Sequence, residues 1–217
     1  RDSVASRGLG DVYKRQAPSR ITTTASHPNA PMAPATTPNL RDHNPFTART
    51  HHPLPIELCP FAAGMSEDEF DRTFRTPGSI MLGAFGSQPT TCGRSLYITT
   101  LTIDGTVCCT AAEAAGPIQA LCYMLDSFDI RLDIKTFRQR ETPDNPHYQY
   151  ATFLEIKNRY FTHWAIGYGT TSEEASLSAL IAAANQYRQY QTARRHGTTT
   201  GITYTGSLDE TKQRRAA

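Results

Sequence analysis

"SLYITTLTIDGTVCCTAAEAAGPIQALCYML", Ser95 to Leu125, changes its hydrophobic period once, and that change decides the fold. Its first half holds two arms rich in β-branched and aromatic residues. They meet at Asp104-Gly105, a pair that favours a two-residue type I′ turn, so residues 95–110 read as a hairpin. In the first arm Leu96 and Ile98 share one parity while Leu101 and Ile103 share the other. That predicts an arm buried on both faces or bulged. The alternation then stops at Ala114-Ala115-Gly116-Pro117. Beyond it Ile118, Leu121, Cys122 and Leu125 recur at i, i+3, i+4 and i+7, the stripe of a helix facing a core. Small residues at the mouth of that helix leave backbone N–H groups open to a small anion.

Working outward, the same grammar appears again. "SIMLGAF" (79–85) is a short apolar run compatible with a strand before the hairpin. After the helix, "FDIRLDIK" (128–135) alternates cleanly, with Phe128, Ile130, Leu132 and Ile134 on one side, and reads as a strand. "RQRETPDNPH" (138–147) reads as a loop, "YQYATFLEIK" (148–157) as a strand, Asn158-Arg159 as a turn and "YFTHWAIGYG" (160–169) as another strand. A last helix follows. Thr171 and Glu174 have capping-box spacing, and Leu177, Leu180, Ile181 and Ala184 form its stripe. Residues 79–127 and 128–190 thus each give strand, strand, strand, helix. The expected fold is α+β, two βββα units with two three-stranded sheets and two helices.

The flanks are of another kind. The first sixteen residues, "RDSVASRGLGDVYKRQ", resemble translated sequencing-adaptor text and are expected to be foreign to the protein. Residues 17–60 hold nine of the fourteen prolines in a Thr/Ala/Pro/His background. With no period of 2 or 3.6 they read as a disordered linker. In 61–78, "MSEDEF" signals a short helix: Ser66 and Glu69 have capping-box spacing, and Met65 with Phe70 fits a hydrophobic staple. The Thr/Gly-rich tail from 192 to 217 is expected to fray, leaving 79–191 as the domain proper.

Composition narrows the function. The 217-residue chain carries a formal net charge of +2, which gives no strong bias toward nucleic acid or membrane. No apolar run of 18 residues predicts a membrane span, and no signal-peptide core is visible. The five cysteines show no C-x-x-C spacing, which points to reduced thiols in a cytoplasmic protein. No G-x-S-x-G, P-loop or G-x-G-x-x-G is present. His51-His52 in the proline-rich stretch reads as solvated loop, the lone strand histidine His163 as structural, and Glu173 and Glu174 as acids placed by the helix dipole. No residue is assigned a catalytic or metal-binding role. What stands out are two glycine-containing turns before helices, "AAGPI" (114–118) and "AIGYGTTS" (165–172). Each offers backbone N–H groups beside apolar side chains, Ile118 at one and Ile166 and Tyr168 at the other. Donors for a carboxylate beside an apolar pocket suit an amino acid. Strand termination and helix initiation explain the same glycines without a ligand.

The order of these motifs resembles the C-terminal regulatory (dimerisation) domain of 2-isopropylmalate synthase. The matching positions are Gly116-Pro117-Ile118, Ala151 to Ile156, Trp164 to Gly167, and Ala175 to Asn185. The resemblance spans roughly residues 79–190, and "MSEDEFDRTF" is similar to the helix that precedes that domain in the family. It implies a homodimeric domain that binds L-leucine near the subunit interface and inhibits a distant catalytic barrel in leucine biosynthesis. The implied effector residues are Ala114, Ala115, Gly116, Pro117, Ile118, Asp133, Ile166, Gly167 and Tyr168. The family's divalent metal belongs to the barrel, an acyltransferase held here to be absent. This chain has no room for a barrel of ~250 residues. The chain is therefore expected to be a fragment, or a module that meets a separate catalytic chain, with no cofactor of its own. Two departures keep alternatives open. Ala114 stands where the family often has the glycine of Gly-Asn-Gly-Pro, and Ile134 and Phe137 replace the Tyr and His that follow Asp133. The alternatives are an effector-free assembly module, or the regulatory domain of a citramalate- or homocitrate-type synthase.

Overall fold

The computed structural model describes residues 44–157 and 162–196. The chain divides into Arg1–Thr36, which lies outside the described residues, and Thr37–Ala217. The expected adaptor segment, the first part of the linker, the turn at Asn158-Arg159 and the end of the tail also lie outside them.

Two βββα units form the centre. In the first, β1 (Ile80–Pro89), β2 (Ser95–Ile103) and β3 (Thr106–Ala114) make an antiparallel sheet in sequence order, followed by α4 (Pro117–Asp126). In the second, β4 (Asp133–Glu141), β5 (Tyr150–Lys157) and β6 (Thr162–Gly169) do the same, followed by α5 (Ser172–Arg195). The expected α+β fold is what is found. Three helices precede these units: α1 (Pro45–Thr50), α2 (Cys59–Ala62) and α3 (Glu67–Phe74).

The hairpin turns as its dipeptide dictates, with φ of 50° at Asp104 and 82° at Gly105, both in the left-handed region that a type I′ turn requires. Its face assignment differs from the expectation. Tyr97 and Leu101 are buried with Thr99 between them, whereas Ile98 is exposed, so β2 keeps one parity throughout. The bulge falls instead in β1, between Leu82 and Phe85. There Gly83 lies so close to β2 that a Cβ would sit 2.1 Å from Thr100 Oγ1.

Three boundaries also move. Residues 128–132 alternate but are not strand. Asp129 adopts φ 60°, and Ile130 N donates to Leu125 O at 3.1 Å, closing α4 with a left-handed cap. Ile130 and Leu132 are buried there without strand partners. The strand begins at Asp133 and runs through 138–141, against the loop expected there; Arg138, Gln139, Arg140 and Glu141 pair with Phe153, Thr152, Ala151 and Tyr150. The last helix continues to Arg195, past the residue at which the tail was expected to fray.

The largest correction concerns residues 44–60. Asn44 caps α1 by accepting from Thr47 N at 2.9 Å, and Pro45 at the first helical position costs no hydrogen bond. Phe46, Leu54, Leu58 and Cys59 are buried. They join Phe70 and Phe74 in an apolar cluster against Ala151, Phe153, Trp164, Ile166 and Tyr168 on the outer face of the second sheet. Proline did not prevent order here, because the sheet supplied the apolar surface that a short segment cannot supply for itself. The other face of that sheet, with Leu154, Ile156 and Ala165, belongs to the main core together with α4, α5 and the inner residues of the first sheet. No described helix is long and apolar enough to cross a membrane.

Candidate functional site

The N-terminus of α4 is the part of the expected site that the structure keeps open. Ala114 ends β3 and is buried, while Ala115 is exposed. Gly116 is the N-cap, with φ −164° and ψ 165°, extended backbone that any residue adopts. As a glycine it brings no side chain to the first-turn N–H groups, and a Cβ placed on it would meet no atom within 4 Å. Pro117 occupies the first helical position and has no N–H to offer. Ile118 and Cys122 are partly buried against the main core. Burial pushes the Cys122 thiol up to about 11, so it stays protonated at neutral pH and is a poor nucleophile.

One donor at this mouth is already engaged. Ala115 N–H donates to Gln119 Oε1 at 3.1 Å, and Gln119 Nε2 donates to the Tyr123 hydroxyl at 2.8 Å. The sequence reading passed over Gln119 and Tyr123. The signal was present: Gln119 stands three residues after the N-cap, where a capping-box side chain reaches back. Here it reaches one residue further, to Ala115.

The other expected site residues lie elsewhere. Asp133 is the exposed first residue of β4, paired in register with Lys157. It acts electrostatically on Arg131, whose Nε bonds Asp126 at 2.9 Å at the far end of α4. A ten-residue helix is ~15 Å long, so Asp133 belongs to the opposite end from Gly116. Ile166 and Tyr168 are buried in the cluster under α1–α3, on the face of the second sheet turned away from the main core. Tyr168 stacks on Tyr148, with ring centroids 4.2 Å apart, and on Phe46 at 6.4 Å. Gly167 serves packing: a Cβ would lie 2.1 Å from Ala179 N and 2.3 Å from Ala175 O, so the glycine is what lets α5 lie on β6. Within one chain the second sheet therefore stands between Ile118 and the pair Ile166 and Tyr168.

The second glycine turn is closed by the chain itself. Thr171 caps α5, its hydroxyl accepting from Glu174 N at 3.1 Å. Glu174 Oε2 accepts from Thr170 N at 2.8 Å and Thr170 Oγ1 at 2.7 Å. These bonds hold its carboxyl below the usual range.

A polar knot absent from the sequence reading ties α1 and α3 to the second sheet. Arg49 Nη1 and Arg75 Nη1 both bond Asp71, at 3.2 and 3.1 Å, and the Arg75 guanidinium lies 4.9 Å from the centre of the Tyr168 ring. The Tyr148 and Tyr168 hydroxyls beside it are buried, and burial raises both phenol pKa values, with the nearby Arg49 opposing the rise at each. Among the described residues no group of three or more His, Cys, Asp or Glu side chains is placed to hold a metal. No known protein-family model matches the chain, and no curated protein shows significant similarity to it.

Proposed function

We propose that the two βββα units form an effector-binding regulatory and dimerisation domain of the 2-isopropylmalate synthase type, cytoplasmic and controlled by L-leucine. The observation that carries the reading is the open N-terminus of α4, with its glycine N-cap, set within the duplicated βββα order. The leucine carboxylate would meet the helix N-terminus, where the backbone dipoles favour an anion. Its ammonium and side chain would lie toward Gln119, Tyr123 and Ile118. The catalytic barrel would belong to another part of the enzyme or to a separate chain, and this domain would bias its activity through two arrangements of the dimer.

The test is titration calorimetry of the full chain with L-leucine, and with L-isoleucine as control. Selective heat with leucine is expected. Gly116→Val should abolish it without unfolding the domain, because the extended backbone and empty surroundings accept a side chain, although valine is a poorer N-cap than glycine and lowers the melting temperature slightly. Leucine affinity preserved in Gly116→Val would remove the proposed site. The engaged Ala115 N–H favours a second reading, in which Gln119 closes the mouth and the domain serves assembly alone. A folded dimer that gives no heat with either amino acid is its signature.

A further inference from the structure

We infer that the groove along the C-terminal half of α5 binds a small nucleotide, a nucleoside monophosphate whose base carries an amino group. Tyr187, Tyr190, Gln191, Arg194 and Arg195 line a groove of about 360 Å³ there. That volume falls within the ~300–1,000 Å³ of small-molecule sites. The five residues stand at i, i+3, i+4, i+7 and i+8, so they share one face of the helix. Their order along it is aromatic, amide, cationic. Tyr187 is partly buried against the main core, Tyr190 is partly buried, and Arg194 and Arg195 are exposed.

The Gln191 amide is what points to a ligand. Its Nε2 donates at 3.5 Å to Asp129 O, in the left-handed cap that closes α4. A carbonyl oxygen only accepts, so this contact fixes which end of the amide faces it. Oε1 is thereby turned away from Asp129. It is buried and finds no hydrogen-bond partner among the described residues. A buried acceptor left unmet is costly, and a ligand that brings an N–H to it removes that cost.

The neighbours specify the rest of that ligand. The tyrosines offer ring faces on which a nucleobase stacks. One to two turns further on, two guanidiniums offer forked donors that match a phosphate. They stand at a helix C-terminus, where the dipole disfavours an anion, so the phosphate depends on both. From Tyr187 to Arg194 the helix rises about 10 Å. An amino acid is too short to reach both ends, and inorganic phosphate fills only one. A base with an amino group, joined through a sugar to a phosphate, meets the rings, the amide and the guanidiniums at once. Asp129 follows the C-terminus of α4, so the groove lies at the opposite end of that helix from Gly116 and does not rest on the leucine reading.

Titration calorimetry of the full chain with adenosine monophosphate tests it, with adenosine and inorganic phosphate as separate titrants. The nucleotide is expected to bind about tenfold or more tighter than either part alone. Gln191→Leu, Tyr190→Ala and the double variant Arg194→Ala with Arg195→Ala should each weaken it about tenfold or more, the factor that follows from losing one buried or charge-assisted contact. A thermal melt of each variant shows that it is folded. Arg138→Ala with Arg140→Ala, which removes two positive charges from β4 instead, should leave the affinity unchanged. The assignment is overturned by no nucleotide heat up to about 1 mM, by inorganic phosphate binding as tightly as the nucleotide, by equal loss in the β4 variant, or by affinity untouched in the folded α5 variants. Leucine heat with no nucleotide heat sinks this groove and spares the effector site; nucleotide heat lost in Gln191→Leu, in a chain that gives no leucine heat, does the reverse.

Discussion

Asn185 joins the two units through a single side chain. It is buried in α5, its Oδ1 accepts from Ile80 N at 2.9 Å, and its Nδ2 donates to Ile80 O at 3.0 Å. The amide thereby does for β1 what a neighbouring strand would do. Gly78 lies so close that a Cβ there would come within 2.3 Å of Asn185 Oδ1. Asn185→Leu keeps the volume and strips both partners from a buried peptide group. The expected cost is about 1–3 kcal/mol for each of the two groups left unsatisfied, read as a lower urea midpoint with unchanged slope. A loss under ~0.5 kcal/mol, the level of an ordinary surface change, would show that the bridge carries no weight. Asn185 closed the motif on which the family resemblance rested, yet its role was not legible, because nothing local in a sequence reveals a partner 105 residues away.

Elements were legible where local chemistry fixes them. Asp104-Gly105 needs two positive φ values, Ser66 and Thr171 cap helices, and the α4 and α5 stripes repeat at helical spacing. The start of β4 was not legible, since residues 128–134 alternate whether or not they pair, and α4 consumes the first of them in its left-handed cap. The α5 cap yields a pH prediction. Bonds from Thr170 lower the Glu174 pKa in the folded state, so the folded chain binds fewer protons there than the unfolded one. The stabilisation is present above the unfolded pKa, near ~4.3 for Glu, and is lost as pH falls through the folded value. Glu174→Gln should therefore melt below the parent at neutral pH, with the gap closing in acid. A gap independent of pH would mean that the bonds to Thr170 do not depend on the charge.

At the scale of the whole molecule the sequence holds a signal for a second covering layer. Strand β5 carries apolar residues on both parities, with Ala151 and Phe153 on one and Leu154 and Ile156 on the other, and β6 does likewise through Trp164, Ala165, Ile166 and Tyr168. Strands of that kind are buried on both faces, so a second covering layer was required. The proline-rich stretch masked the layer that provides it, because Phe46, Leu54 and Leu58 follow no period. Phe46 is the test of whether these helices are part of the fold or merely rest on it. It is fully buried, meets Phe153 edge-on at 5.1 Å and stacks on Tyr168. Phe46→Ala leaves a ring-sized void between α1 and the sheet, with an expected cost of about 3–5 kcal/mol. If the helices are integral, the variant melts lower in one transition, and protease attack within residues 44–78 rises only as the whole chain unfolds. If they rest on a self-sufficient pair of βββα units, 44–78 is clipped first and the remainder melts as before. The apolar cluster between these helices and the second sheet favours the first outcome, since unfolding the helices alone would strand the apolar face of β5 and β6 in water.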